Sequence, residues 1–234
     1  MVRAMSKKVA ILQSNYIPWK GYFDIIASVD EFILYDDVQF TKNDWRNRNQ
    51  IKTPKGLEWL SVPVGQKISR NIRDVEIATH EWQAQHWGKL ETNYKDAECF
   101  KETQRWLRPL YLDATHTNLS ELNRCLIEAV NTQLGITTKL SWSWDYELIE
   151  GKTERLVNLC KQAKADVYLS GPAAKGYLET DRFTDEQMHV EWFDYAGYPA
   201  YPQLWGEFTH NVSVLDLLFN CGKNAPKFMK HVRT

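Results

Sequence analysis

The chain has 234 residues, 43% of them hydrophobic, enough for one α/β domain to bury its own core. Its 29 Lys and Arg against 30 Asp and Glu leave a net charge of -1, which lacks the basic excess of a nucleic-acid binder. No run approaches the ~20 apolar residues of a membrane-spanning helix, and the start, M-V-R-A-M-S-K-K, leads into too few apolar residues for a signal peptide.

Residues 8–13, K-V-A-I-L-Q, form a short continuous apolar run, the pattern of a buried parallel strand. Gln13, Ser14, Asn15 and Tyr16 end it. Pro18 follows and suits a first helical turn, so a helix is expected over 18–28, with Tyr22, Phe23, Ile25, Ile26 and Val29 on its apolar face. Residues 31–35 read as the next strand. A parallel βαβ unit would bring the 13–19 loop and the 36–49 loop to one edge of the sheet. Residues 48–53 and 57–64 around Pro54-Lys55-Gly56 predict a hairpin, taken as a flap beside the site, and 74–77 a further short strand.

Residues 82–135 read as helical, with Asn118 and Glu121 in capping positions and Gly135 as a terminator. A helix over 152–165, a strand over 166–169 stopping at Ser170-Gly171-Pro172, a strand over 188–193 and a last helix over 213–220 complete the pattern. The expected fold is α/β: one domain over 1–234, with a Rossmann-like parallel sheet, a β-hairpin flap and a helical middle.

Chemistry concentrates at 35–49, Y-D-D-V-Q-F-T-K-N-D-W-R-N-R-N. A polar cluster directly after a strand is where open α/β sheets place ligand loops. Asp36 and Asp37 are candidates for a general base or for metal ligands, or else a solvated turn. Arg46 and Arg48, on one face of a strand with Asn47 and Asn49 on the other, suit a diphosphate. Gln39, Lys42 and Asn43 extend the polar surface. Gln13, Asn15 and Tyr16 at a strand end, and Ser170 and Gly171 at another, are candidate substrate contacts. Trp19 suits stacking on a sugar or base, or packing at a helix start. His210, just before the last helix, is the best-placed histidine for acid–base work. The other five histidines show no metal-ligand spacing. Cys99, Cys125, Cys160 and Cys221 form no C-x-x-C, which argues for free thiols in a cytoplasmic protein.

Several segments, in order, resemble the WbqC-like family of bacterial proteins: V-A-I-L-Q-S-N-Y-I-P-W-K-G-Y-F at 9–23, D-D-V-Q-F-T-K-N-D-W-R-N-R-N at 36–49, W-L-S-V-P-V at 59–64, Y-L-S-G at 168–171 and S-V-L-D-L-L-F-N-C-G at 213–222. The resemblance implies a role in O-antigen or other surface-polysaccharide synthesis. The first βαβ unit is more weakly similar to the HIGH-type nucleotidyltransferases such as pantothenate synthetase, but Trp19 and Tyr22 stand around Gly21 where that family has two histidines.

The expected function is a cytoplasmic transferase, moving an acyl or aminoacyl group to the amine of a nucleotide-linked amino sugar. The donor would be an acyl-coenzyme A or another activated acyl; the oligomeric state stays open. The alternatives are an ATP-dependent ligase or nucleotidyltransferase, and a non-catalytic carbohydrate-binding or scaffold protein. An enzyme requires Asp36, Asp37, Arg46 and Arg48 to converge in one pocket; a binding protein would spread them over a shallow aromatic face.

Overall fold

The computed structural model describes residues 6–67 and 69–232; residues 1–5, read above as too short for a signal peptide, lie outside the described residues. Strand β1 (Lys8–Leu12), helix α1 (Lys20–Ala27) and strand β2 (Glu31–Leu34) open the chain. The two strands are parallel neighbours, with Val9 opposite Glu31 and Leu12 opposite Leu34, as expected. Helix α1 starts two residues after Pro18, because Ile17 takes φ 38 and Trp19 is extended.

Strands β3 (Arg48–Thr53) and β4 (Gly56–Ser61) pair antiparallel. Pro54 presets the first position of their tight turn, and Gly56 takes φ 106, which a side chain would resist. Residues 74–77 are not a strand. They follow a 3-10 turn, Ile72–Asp74, in which Val75 N–H bonds to the Ile72 carbonyl; a lone bridge between Glu76 and Asn118 remains.

The helical middle resolves into α2 (Glu81–Tyr94), α3 (Phe100–Leu112) and α4 (Leu119–Leu134). The Asn118 side chain accepts from the Glu121 N–H at the start of α4, and Gly135 ends it at φ 71, as the spacing predicts. Strand β5 (Lys139–Trp142) follows at once and was not anticipated. Its K-L-S-W sequence has no apolar run; pairing with β2 defines it. Then come α5 (Thr153–Gln162), β6 (Val167–Ser170), a short α6 (Asp181–Asp185), β7 (His189–Trp192) and α7 (Val214–Cys221).

The sheet is fully parallel, in the order β5-β2-β1-β6-β7. Counted within the sheet this is 3-2-1-4-5, the doubly wound Rossmann order. The larger core joins α1, the hairpin, α2 to α4 and α7 to one face; α5 and α6 cover the other. The reversal of face follows from the topology. The chain winds one way from β1 to β2, and the opposite way from β5 back to β6, so crossovers of one hand lie on opposite faces. Among the described residues, no helix is long and apolar enough to cross a membrane. All four cysteines are free thiols, Cys160 and Cys221 buried, Cys99 and Cys125 half-buried.

Glu31 ties the left half of the sheet. Its buried carboxylate accepts from Lys7 at 2.7 Å, Lys139 at 2.9 Å, and the Ser141 and Tyr146 hydroxyls. Burial disfavours its charge, but these four donors outweigh burial and hold its pKa at about 2, below the usual 4.5. A depressed carboxyl adds stability above its unfolded pKa and loses it as pH falls through the folded value. Glu31→Gln is expected to cost about 2–4 kcal/mol at neutral pH. In urea unfolding from pH 7 down to 2, the gap between the two proteins should narrow below pH 4.5.

Candidate functional site

In an open parallel sheet the carboxyl ends of the strands are free of the crossover helices, and a crevice opens where the winding direction reverses. Here that point lies between β1 and β6. The loop after β1 carries Gln13 to Trp19, the loop after β2 carries Tyr35 to Asn47, and the turn after β6 carries Ser170 and Gly171.

One buried carboxylate holds the first two loops together. Asp36 is 0% exposed. Its Oδ1 accepts from the Ser14 N–H at 2.8 Å and its Oδ2 from the Ser120 hydroxyl of α4 at 2.6 Å. One turn on, Asn123 donates to Ser14 Oγ at 3.0 Å and to the Arg46 carbonyl at 2.9 Å. Burial raises the Asp36 pKa against the opposing effect of the Ser120 and Ser14 hydrogen bonds. The buried Asn49 adds a second brace, donating to the Tyr16 and Ile17 carbonyls at 3.1 and 2.9 Å. Ile17 needs that support, because a β-branched residue at φ 38 is strained.

Beside this frame a cleft of about 390 Å³ opens at the switch point. Gln13, Asn15, Arg46, Lys152, Ser170 and Gly171 supply its polar lining, and Tyr35, Tyr168 and Tyr177 its aromatic walls. The Arg46 guanidinium donates to Asn15 Oδ1 at 2.8 Å and to Gln13 Oε1. It therefore lies across the mouth of β1. Two cations and no carboxylate line the cleft, so its chemistry suits an anion.

A second cavity of about 270 Å³ shares Asn15 with the first. Pro18, Trp19, Trp45, Asn49, His210, Asn211 and Val212 complete its lining. The Trp19 ring folds back over Gly21, leaving no room there for a β-carbon, and packs on Tyr195 and Tyr198 at 5.4 and 5.5 Å between centroids. Tyr22 donates to the Gln13 carbonyl at 3.0 Å. His210 packs edge-on to Phe208 at 4.6 Å, and its buried Nδ1 has no partner among the described residues. Burial, with the nearby Lys20 charge, lowers its pKa and keeps the imidazole neutral at physiological pH.

The structure does not bring Asp36, Asp37, Arg46 and Arg48 together in one pocket, and so redistributes the sequence-derived candidates. Gln13, Asn15, Arg46, Ser170 and Gly171 meet in the cleft, and Asn15, Trp19, Asn49 and His210 in the aromatic cavity. Asp36 and Asp37 line neither and hold structure instead. Asp37 accepts from Arg73 at 2.6 Å and from the Ser143 hydroxyl at 2.6 Å. Tyr16 is fully buried, its hydroxyl between His86 and Tyr111, where no substrate reaches. Asn47 is buried and donates to the Val62 carbonyl. The two arginines do not form one clamp. Arg46 precedes β3 in a turn that aims it at Gln13, whereas Arg48 stacks 4.1 Å over Trp59. Gln39, Lys42 and Asn43 are exposed and line neither cavity. Tyr35 opens the polar stretch singled out above; Lys152 and Tyr177 were missed, because no local pattern marks them and only the sheet order brings them to the cleft.

Asp36→Ala would strand the Ser14 N–H and the Ser120 hydroxyl without an acceptor. We expect a loss of about 2–5 kcal/mol in chemical denaturation. Asp36→Asn, neutral and of the same shape, should lose less.

Comparison with known proteins shows the family. A model of the WbqC-like protein family matches residues 13–228. The chain is 56% identical over 229 residues to the uncharacterized protein Rv1507c of Mycobacterium tuberculosis, covering 97% of this chain and 99% of that one. No solved structure matches it. The matched span runs from Gln13 at the mouth of β1 to Phe228 beyond α7 and takes in the aromatic cavity and all of the cleft lining but Ile11 and Leu12, and by that span and that identity the chain belongs to the WbqC-like protein family.

Proposed function

We propose that the protein is a transferase that moves an acyl or aminoacyl group to the amine of a nucleotide-linked amino sugar, in surface-polysaccharide synthesis. One observation carries the reading. An anion-binding cleft, lined by Arg46 and Lys152 without a carboxylate, shares Asn15 with an aromatic cavity holding a neutral histidine. The first suits a diphosphate and the second a sugar ring.

In the reaction the sugar amine attacks the acyl carbonyl, a C–N bond forms, and the bond to the donor's leaving group breaks. The amine must shed a proton as it attacks. His210, neutral at physiological pH, is the group that takes it; Asp36 and Asp37 are engaged elsewhere. Asn15 and Gln13 hold Arg46 in place, so the guanidinium is oriented before ligand arrives.

A melting screen against nucleotide-sugars, ATP and acyl-coenzyme A tests the reading, since a ligand of the native state raises Tm. Stabilisation by ATP with pyrophosphate release would install the ligase alternative. Stabilisation by free sugars, without turnover of any donor, would install the non-catalytic one. Lys152 is exposed, so Lys152→Ala should leave Tm unchanged and weaken nucleotide-sugar binding roughly tenfold to a hundredfold in calorimetry. Arg46→Ala should weaken binding at least as much. His210→Gln should keep binding and lose about 10²–10⁴ in turnover. The acid limb of the wild-type rate profile should fall below pH 6.5, the ordinary imidazole value, because the His210 pKa is lowered.

A further inference from the structure

The hairpin carries an aromatic surface that neither cavity absorbs. Trp45 and Trp59 are 45% and 36% exposed, and Leu57 beside them is 42% exposed. Two half-bare tryptophans side by side are uncommon on a surface that only faces water. Their ring centroids are 5.4 Å apart and tilted by 40°. The register sets Arg48, Gln50 and Lys52 on the strand face that carries Trp59 and Leu57, while Ile51 and Leu60 point to the core. The Arg48 guanidinium stacks on one face of Trp59 and fixes that ring; its buried Nε has no partner among the described residues.

This surface is continuous with the site. Trp45 lines the aromatic cavity on one side and meets Trp59 on the other. Its neighbour in sequence, Arg46, reaches into the switch-point cleft. The molecule thus presents a track in order: cations, then an aromatic cavity with its histidine, then an open aromatic platform edged by the polar Arg48 and Gln50. Flat apolar faces interleaved with hydrogen-bonding side chains match a pyranose, whose ring faces are apolar and whose rim carries hydroxyls. They match an apolar protein surface less well, since Arg48 and Gln50 would then be covered without partners.

We propose that the substrate is a phosphate-linked glycan of more than one ring, and that Trp45 and Trp59 bind the sugars beyond the one at His210. This assignment rests on the reading of the cleft and cavity given above and narrows its substrate class. The diphosphate would sit at Arg46 and Lys152, the reacting amino sugar in the cavity, and the following rings on the platform.

The test uses the full chain and N-acetylglucosamine oligomers of one to four rings, with UDP-N-acetylglucosamine as the probe of the cleft and cavity. Binding is read by calorimetry and by quenching of tryptophan fluorescence. Wild-type affinity should rise with each added ring, by roughly threefold to tenfold per ring. Trp59→Ala should abolish that gain and leave UDP-N-acetylglucosamine binding unchanged, and Trp59→Phe should restore much of it. If UDP-N-acetylglucosamine binds but affinity is flat with length, or rises equally in Trp59→Ala, the platform assignment fails and the site reading stands. If neither probe binds, both fail. If Trp59→Ala instead converts an oligomer to a monomer in solution, the platform is a protein–protein surface and the glycan assignment is overturned.

Discussion

The geometry of the site hangs on the carboxylate of Asp36. It sits where β2 ends, fully out of water, and joins two loops that are linked again where the Tyr16 N–H donates to the Trp45 carbonyl at 2.9 Å. A buried carboxylate without partners would cost several kcal/mol, on the order of 3 or more. Its donors from Ser14 and Ser120 therefore fix the loop after β1, the start of the loop after β2, and α4 in one arrangement. The acid stands beside the site without reacting in it. It decides where Asn15 and Arg46 stand.

That joint also gives the helical middle a purpose. The doubly wound order needs no three-helix insert between β4 and β5, and the sheet would be contiguous without one. The insert places α4 against the strand ends, and from it Ser120 and Asn123 reach both loops. Its helix α2 buries Trp82, Trp87 and Tyr94 in the larger core, which also takes in the hairpin and α7. Tyr94 donates to Asp216 at 2.8 Å, and Tyr201 and Gln203 donate to the same carboxylate at 2.9 Å. So the Pro- and aromatic-rich segment that carries His210 is pinned through α7 to the insert, and through the Val214 N–H bond to the Pro18 carbonyl to the loop after β1. Three parts of the chain far apart in sequence meet at the cavity because two buried aspartates hold them there.

Much of this was legible in the sequence because local rules and tertiary packing agreed. The run at 8–13, the alternation of strand and helix after it and the Asn118–Gly135 caps each followed a pattern that survives burial. The stretch at 35–49 was identified as site-like because it is dense in polar groups. Density of polar groups, however, does not distinguish side chains that face a ligand from those that hold a loop. Asp36, Asp37 and Asn47 do the second, and Asn49 does it from the wall of the aromatic cavity. Period-two reasoning placed Arg46 and Arg48 on one face, but the strand begins only at Arg48, and the turn before it rotates Arg46 away. Lys152 and Tyr177 enter the cleft through the reversal of winding, and β5 exists through pairing with β2. No window of sequence contains either fact.

Burial and charge around the cavity show why the histidine there stays neutral. Lys20, buried at the start of α1, donates to the Pro199 and Phe228 carbonyls at 2.9 Å and faces the Tyr198 and Tyr201 rings at 5.1 and 4.9 Å. Burial lowers its pKa to about 8, with Asp24 pulling the other way. At neutral pH Lys20 therefore still carries its charge, and that charge adds to burial in disfavouring a second one on His210. Between the two titrations the site holds one fixed cation in the wall and one neutral imidazole in the cavity. Were the order reversed, His210 would be protonated whenever Lys20 was. The same lysine ties α1 to residues 199 and 228, so a group that adds to burial in keeping His210 neutral also closes the fold around the cavity.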